Sequence, residues 1–246
     1  MGCRESRTIS PRQAGVTWPI DFELISILQI TPAGVLYSVQ DIISGAFVTL
    51  KHRTQWDSDK LVTEVKIHSR LAKCTGVVQL LYAQIHAGII VTRDTDGNLA
   101  ASGRLSESRV IEIVGSLART LREIHDTGIV HGNLTLENVL IKGSRVFISN
   151  FSCSFWIGNE VSGLRDCDPE SAPPEAHAGD TLLGPAMDVW ALGLIGVSLL
   201  GTPTKKPEVL LAMLNPDPKT RISLSQVLAH PWLSTSPCSS TSRSLF

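Results

Sequence analysis

Apolar and polar positions alternate at a strand-like period in the first part of the chain and change to helical spacing later. Phe22 to Ile30, Val35 to Gln40 and Ala46 to His52 are short runs rich in β-branched residues, which favour strands. Turn signals divide them at Thr31-Pro32-Ala33-Gly34 and at Ser44-Gly45. Between Asp57 and Leu71, the positions Leu61, Val65, Ile67, His68 and Leu71 follow a loose helical spacing, with Asp57 or Ser58 as its start. Val77 to Ala83 and Gly88 to Thr92 read as two further strands. Ser106-Glu107-Ser108-Arg109 then opens a long amphipathic helix. Its stripe is Val110, Ile113, Val114, Leu117, Leu121 and Ile124, and Gly128 stops it.

Two short apolar strands, Val139 to Ile141 and Val146 to Ile148, flank Gly143, and an irregular stretch runs from Ser152 to Pro174. Helix returns at Pro185 to Leu200 and at Ser223 to His230. Strands first and helices afterwards, with one helix among the strands, predict a two-lobed α+β layout. No internal repeat is visible. The stretch from Val189 to Thr204 carries no charge, but Gly193, Gly196 and Gly201 interrupt it. It is shorter than the roughly 18–20 apolar residues of a membrane span and is expected as a buried helix.

Composition narrows this further. Of 246 residues, 43% are hydrophobic and 18% charged, enough for a substantial core. A formal net charge of −1 with no long run of one sign argues against a nucleic-acid partner held by bulk electrostatics. The five cysteines, Cys3, Cys74, Cys153, Cys167 and Cys238, form no CxxC pair, so neither zinc nor a disulfide framework is indicated and a reducing compartment is expected. His125 and His131 lie close in sequence without a metal set around them, and His125 is read as packed or exposed. Trp18, Trp56 and Trp156 are read as packing residues.

The two ends differ from the body. Met1-Gly2-Cys3-Arg4-Glu5-Ser6 fits the N-myristoylation pattern at Gly2, and Cys3 beside it is a candidate for S-palmitoylation. Two acyl chains hold a membrane stably where one does so only marginally. Residues 1–20 are therefore expected as an acylation and linker segment, and the chain as cytoplasmic and membrane-associated through its N-terminus. Residues 234–246, rich in Ser and Thr, are expected to be a disordered tail.

Within residues 21–233 a set of motifs occurs in order. Val48-Thr49-Leu50-Lys51 precedes Glu64 on the next helix. Then follow His131-Gly132-Asn133-Leu134-Thr135-Leu136-Glu137-Asn138, Asn150-Phe151-Ser152, Pro173-Pro174-Glu175, Asp188-Val189-Trp190-Ala191-Leu192-Gly193, Arg221 and His230-Pro231-Trp232-Leu233. Taken together, the segment resembles a eukaryotic-type protein kinase domain. That resemblance implies a small β-rich N-lobe and a mostly helical C-lobe. The short stretch between Leu200 and Leu211 implies a trimmed C-lobe. It also implies that Lys51 holds nucleotide phosphates and pairs with Glu64, and that Asn138 lies on the metal side. His131 and Phe151 belong on its reading to an apolar stack, Asp188 bonds the catalytic-loop backbone, and Glu175 pairs with Arg221.

The departures from the family pattern fall on chemistry. Of G-x-G-x-x-G only Gly34 remains, with Gln29 and Thr31 in the other places, and Pro32 has no amide to offer a phosphate. Asn133 stands at the base position of H-R-D-L-x-x-x-N, and Asn150 at the metal-holding Asp of D-F-G. Thr135 replaces a common Lys, Gly132 replaces the Arg that pairs with an activation-loop phosphate, and Thr49 narrows the adenine slot. An amide takes no proton at neutral pH, and base help is worth ~10²–10⁴-fold in rate. A hard cation loses its electrostatic hold when the carboxylate goes.

We therefore expect a degenerate Ser/Thr kinase domain, a pseudokinase, with no intact catalytic residue, no bound metal and at most weak ATP binding. Its expected role is regulatory or scaffolding, with a protein partner such as an active kinase or its substrate. The alternative is an atypical active Ser/Thr kinase that takes a carboxylate from Glu137, Asp166 or Asp168. A third reading is a competitor that mimics a kinase and sequesters its partner.

Overall fold

The β-branched runs at the start of the chain become an antiparallel sheet. The computed structural model describes residues 22–31, 34–53, 58–159, 169–178, 183–201 and 207–234. They divide into an N-terminal unit, Met1–Ala72 with Val78–Thr95, and a C-terminal unit, Lys73–Val77 with Asp96–Phe246. The expectations for Gly2, Cys3, Trp18, Pro32, Trp56, Asp166, Asp168 and the tail beyond Ser234 concern positions outside the described residues.

In the N-terminal unit, β1 (Phe22–Thr31), β2 (Gly34–Asp41), β3 (Phe47–Arg53), β4 (Leu80–Gln84) and β5 (Ile89–Arg93) form one sheet in the order β1-β2-β3-β5-β4. Period-two alternation puts Leu24, Tyr37, Val39, Val48, Leu50, Ile89 and Val91 into one buried cluster. On β3 the opposite face carries Thr49, Lys51 and Arg53. Helix α1 (Ser58–Arg70) buries Leu61, Glu64, Ile67 and His68. The His68 Nε2 lies 2.7 Å from the Val78 carbonyl, and burial pushes its pKa down.

The run Val77 to Ala83 is not one strand, because its backbone is shared among partners. Val77 bridges to Ile148 in parallel, the Gly76 carbonyl accepts from Ile148, and strand pairing begins at Leu80. Gly34, read as a remnant of a phosphate loop, has a packing role of its own. It sits at φ +154°, and a Cβ there would overlap the His52 carbonyl oxygen.

The C-terminal unit is built on α2 (Glu107–Asp126), capped by the Ser106 hydroxyl, which accepts from the Arg109 amide at 3.4 Å. Its predicted stripe, Val110 to Ile124, is buried. It packs against α4 (Ala186–Leu200) and α6 (Leu224–Ala229). Short strands β6 (Gly97–Asn98), β8 (Val139–Lys142) and β9 (Arg145–Ile148) form one small sheet, and β7 (Ile129–Val130) pairs with β10 (Phe155–Trp156). The stretch read as irregular thus contains β10, too short for a pattern to reveal. Helices α3 (Pro174–His177), α5 (Glu208–Met213) and α7 (Pro231–Ser234) complete the unit. Only residues 201–207 separate α4 from α5, which matches a trimmed connection. A β-rich N-terminal part followed by a helical C-terminal part is the expected α+β fold. Among the described residues no helix is long and apolar enough to cross a membrane.

Candidate functional site

Strand alternation aims Lys51 and Arg53 to the same side of β3, and α1 presents Glu64 to both. Lys51 Nζ lies 3.3 Å from Glu64 Oε1, and Arg53 Nη2 lies 2.7 Å from Oε2. The Glu64 side chain is 4% exposed, against 29% for Lys51 and 13% for Arg53. The shorter and more buried contact therefore belongs to Arg53, which sequence reasoning missed. Its signal was present, since a residue two places from Lys51 on a strand must share its face. Thr49, two places earlier, is buried and pairs with Thr92 of β5.

In the C-terminal unit, the loop after β7 is organised by a buried carboxylate. Asp188, near the start of α4, accepts from the His131 amide at 2.8 Å and the Gly132 amide at 2.9 Å. Its Oδ2 also lies 2.8 Å from His125 Nε2, at the end of α2. Burial works to raise the Asp188 pKa, yet the His125 hydrogen bond and the charges of His125 and His131 outweigh it and hold the group low. His131 is shifted down, foremost by its own burial. Its Nε2 lies 2.9 Å from the Ser149 carbonyl, and its ring meets Phe151 edge-on at 5.2 Å. His125 was read as merely packed or exposed. Its partner is 63 positions away, so nothing local in the sequence could give the contact.

Gly132 holds φ +79°, and a Cβ there would come within 2.5 Å of the Cys153 carbonyl oxygen. The backbone here suits glycine and crowds any side chain, an arginine included.

Beyond Gly132 three asparagines gather. Asn138 Nδ2 donates to the Asn133 carbonyl at 2.8 Å, and Asn150 Nδ2 donates to Asn138 Oδ1 at 3.0 Å. Ser152 donates from its hydroxyl to Asn150 Oδ1 at 3.0 Å. The Ser149 amide and hydroxyl both donate to the Asn138 carbonyl at 2.9 Å. Asn150 is the one non-glycine residue with positive φ, +64°, among the described residues. Asn and Asp tolerate this left-handed conformation better than other side chains, so the backbone shape suits either while only the charge differs. Ser149 and Ser152 extend the network and were not singled out by the sequence.

Further along, Arg221 and Glu175 form a two-pronged pair, Nη1 to Oε1 at 2.7 Å and Nη2 to Oε2 at 2.9 Å. The Arg221 side chain is fully buried. It also donates to the carbonyls of Ala186 and Asn215 and lies over the Trp190 ring.

The sequence matches the family described as Protein kinase domain over residues 34–209, more than half of the chain. The chain belongs to the protein kinase domain family. Serine/threonine-protein kinase SIK2 of Gallus gallus is 26% identical, across 57% of this chain and 21% of its own length. Protein kinase kin1 of Schizosaccharomyces pombe is 27% identical, across 55% of this chain and 18% of its own. Calcium/calmodulin-dependent protein kinase type 1 of Macrobrachium nipponense is 28% identical, across 58% of this chain and 44% of its own. The chain thus spans less than half the length of these curated relatives.

A kinase domain implies a nucleotide with magnesium, and the donors described here do not suit the metal. Asn133, Asn138 and Asn150 bring no carboxylate, and Asn138 Oδ1 and Asn150 Oδ1 already accept from Asn150 and Ser152. Magnesium keeps an octahedral shell and is usually held by one or two carboxylates together with substrate phosphates and waters. Among the described residues no group of three or more His, Cys, Asp or Glu gathers as a metal site. Glu137 is exposed on the same loop. Lys51, Glu64, Thr49 and Gly34 belong to the N-terminal unit, and the asparagines to the C-terminal one.

Proposed function

We propose that this kinase domain works by binding rather than by transferring phosphate, as a regulatory or scaffolding pseudokinase with a protein partner. The observation that carries the reading is the pair of amides Asn133 and Asn150, linked through Asn138 and neutral where the resemblance puts the base and the metal-holding Asp. Phosphoryl transfer is mostly positioning and charge neutralisation, and an amide supplies neither negative charge nor a proton acceptor. Phosphate transfer from labelled ATP, measured with the purified full chain on itself and on a general protein substrate, tests this. The expected result is no transfer above the level of Lys51→Ala. Robust transfer that is lost in Lys51→Ala would overturn the proposal.

The Lys51–Glu64 pair at 3.3 Å, together with relatives whose names are serine/threonine-protein kinases, favours a second reading. On it the chain is an active Ser/Thr kinase that uses another acid, Glu137 or one of Asp166 and Asp168. The same assay decides, since transfer lost on neutralising one of these acids identifies the substitute.

We also propose acylation at Gly2 and Cys3, supported by the opening residues Met1 to Ser6. Gly2→Ala is expected to shift the protein from the membrane to the soluble fraction of cells. Equal partition of parent and variant would end this idea.

A further inference from the structure

Residues 42–46 join β2 to β3 within the N-terminal unit. Turns are usually built from Gly, Pro, Asn, Asp and Ser. Here Asp41, Ser44 and Gly45 supply the turn chemistry, while Ile42 and Ile43 stand at the tip with 61% and 82% of their surface exposed. Ile43 is the most exposed large apolar side chain among the described residues, and the exposed Phe47 follows the turn directly. None of the three belongs to the buried cluster of the sheet or to a kinase motif.

The tip is held from within. Asp41 Oδ1 accepts from the Ile43 amide at 2.9 Å and the Ser44 amide at 3.4 Å, and its Oδ2 accepts from the Ser44 hydroxyl at 2.7 Å. The Gly45 amide, at φ +71°, donates to the Asp41 carbonyl at 2.7 Å, and the Ala46 amide donates to the Ser44 hydroxyl at 3.3 Å. Gln40 Nε2 donates to the Gly45 carbonyl at 2.9 Å. The amides of Ile43, Ser44, Gly45 and Ala46 therefore all find partners inside the turn. A backbone donor taken out of water without a partner is costly. This turn can leave water at its tip with those donors already satisfied.

Position selects what covers it. Phe22, the first residue of β1, is the register partner of Asp41. Residues 1–21, which carry the acylation proposed above at Gly2 and Cys3, thus join the sheet beside the Ile42–Ile43 tip. One acyl chain holds a bilayer only marginally, and stable attachment takes a second signal. We propose that Ile42 and Ile43 form a knuckle that inserts into the interfacial layer of a lipid bilayer, a further membrane contact next to the acylated N-terminus. The choice of a bilayer rests on the acylation reading, whereas the insertion itself needs no acyl chain. Asp41 is the only charge from 41 to 47 and is negative, so the contact is apolar and does not select anionic lipid.

Neutral phosphatidylcholine vesicles doped with a nickel-chelating lipid test this, with the full chain carrying a hexahistidine tag ahead of Met1. The tag supplies the tether, so the measurement does not depend on acylation. In vesicle sedimentation the double variant Ile42→Ser, Ile43→Ser should partition at least about tenfold more weakly than the parent, the low end of what burying two isoleucine side chains provides. High salt should not reduce that ratio, because no charge pair makes the contact. Both side chains are exposed, so the variant should melt with the parent. Equal partition of variant and parent, or a ratio that collapses in high salt, would overturn the proposal. A parent that self-associates, made monomeric by the variant with vesicle binding unchanged, would overturn it in favour of a second copy of the chain. The Gly2→Ala partition in cells is a separate readout, and its failure would remove the acyl anchor while leaving the vesicle ratio to decide the knuckle.

Discussion

Two polar clusters in the C-terminal unit invite comparison, because both are hydrogen-bonded and only one is charged. Around Glu175, Arg221 and Asp188, buried charges meet partners of opposite sign or backbone amides at 2.7–2.9 Å. Around Asn133, Asn138 and Asn150, the same order of geometry is built from neutral amides. The first cluster ties distant segments together, linking α3 to the turn before α6 and α4 to the loop after β7. The second lies where the kinase resemblance puts metal and proton chemistry. Charge stands where it ties distant segments together. Where it would serve a reaction, an amide fills the same backbone.

The largest expected effect strikes the charged cluster. Arg221→Ala leaves Glu175 without its two-pronged partner and removes donors from the Ala186 and Asn215 carbonyls. Breaking a buried pair by removing one member costs roughly 3–5 kcal/mol, which urea denaturation should show as severe destabilisation or loss of folding. A variant within about 1 kcal/mol of the parent would mean that this cluster does not hold the fold.

A smaller effect is expected when charge is put back into the neutral cluster. Asn150→Asp preserves the left-handed backbone but cannot donate to Asn138 Oδ1, so two oxygens face each other. Leaving such a group unsatisfied costs about 1–3 kcal/mol. Equal stability of variant and parent in urea would show that the amide bond is unimportant and the comparison too simple.

The smallest effects fall in the N-terminal unit, where Glu64 has two cationic partners. Arg53→Ala removes the shorter, more buried contact and should cost roughly 1–2 kcal/mol. Lys51→Ala, at a more exposed and longer contact, should cost under about 1 kcal/mol. Thermal unfolding of the two variants ranks them. A larger loss for Lys51→Ala would show that the shorter, more buried Arg53 contact is not the stronger partner of Glu64.

Long elements were legible because their hydrophobic patterns are long. The stripe from Val110 to Ile124 and the apolar run of α4 appear where periodicity puts them. Val77 was assigned to a strand because an apolar run carries no mark of which backbone it will pair with, and here the partner is Ile148. Motif order pointed to Lys51 and Glu64 in the N-terminal unit and to Asn133, Asn138 and Asn150 in the C-terminal one. What motifs could not give were contacts made by tertiary folding, such as His125 with Asp188, or by a neighbour outside the motif, such as Arg53 with Glu64. Gly132 looked like a simple loss of arginine, and only the 2.5 Å approach to the Cys153 carbonyl shows that glycine is also required there.

We propose that the amide cluster recruits no metal-bound nucleotide. Thermal unfolding of the full chain with ATP, in the presence and absence of magnesium, tests it most directly, because anything bound to the folded state raises the melting temperature. The account predicts that magnesium adds nothing to whatever shift ATP alone produces. A further rise that requires both magnesium and ATP would contradict it.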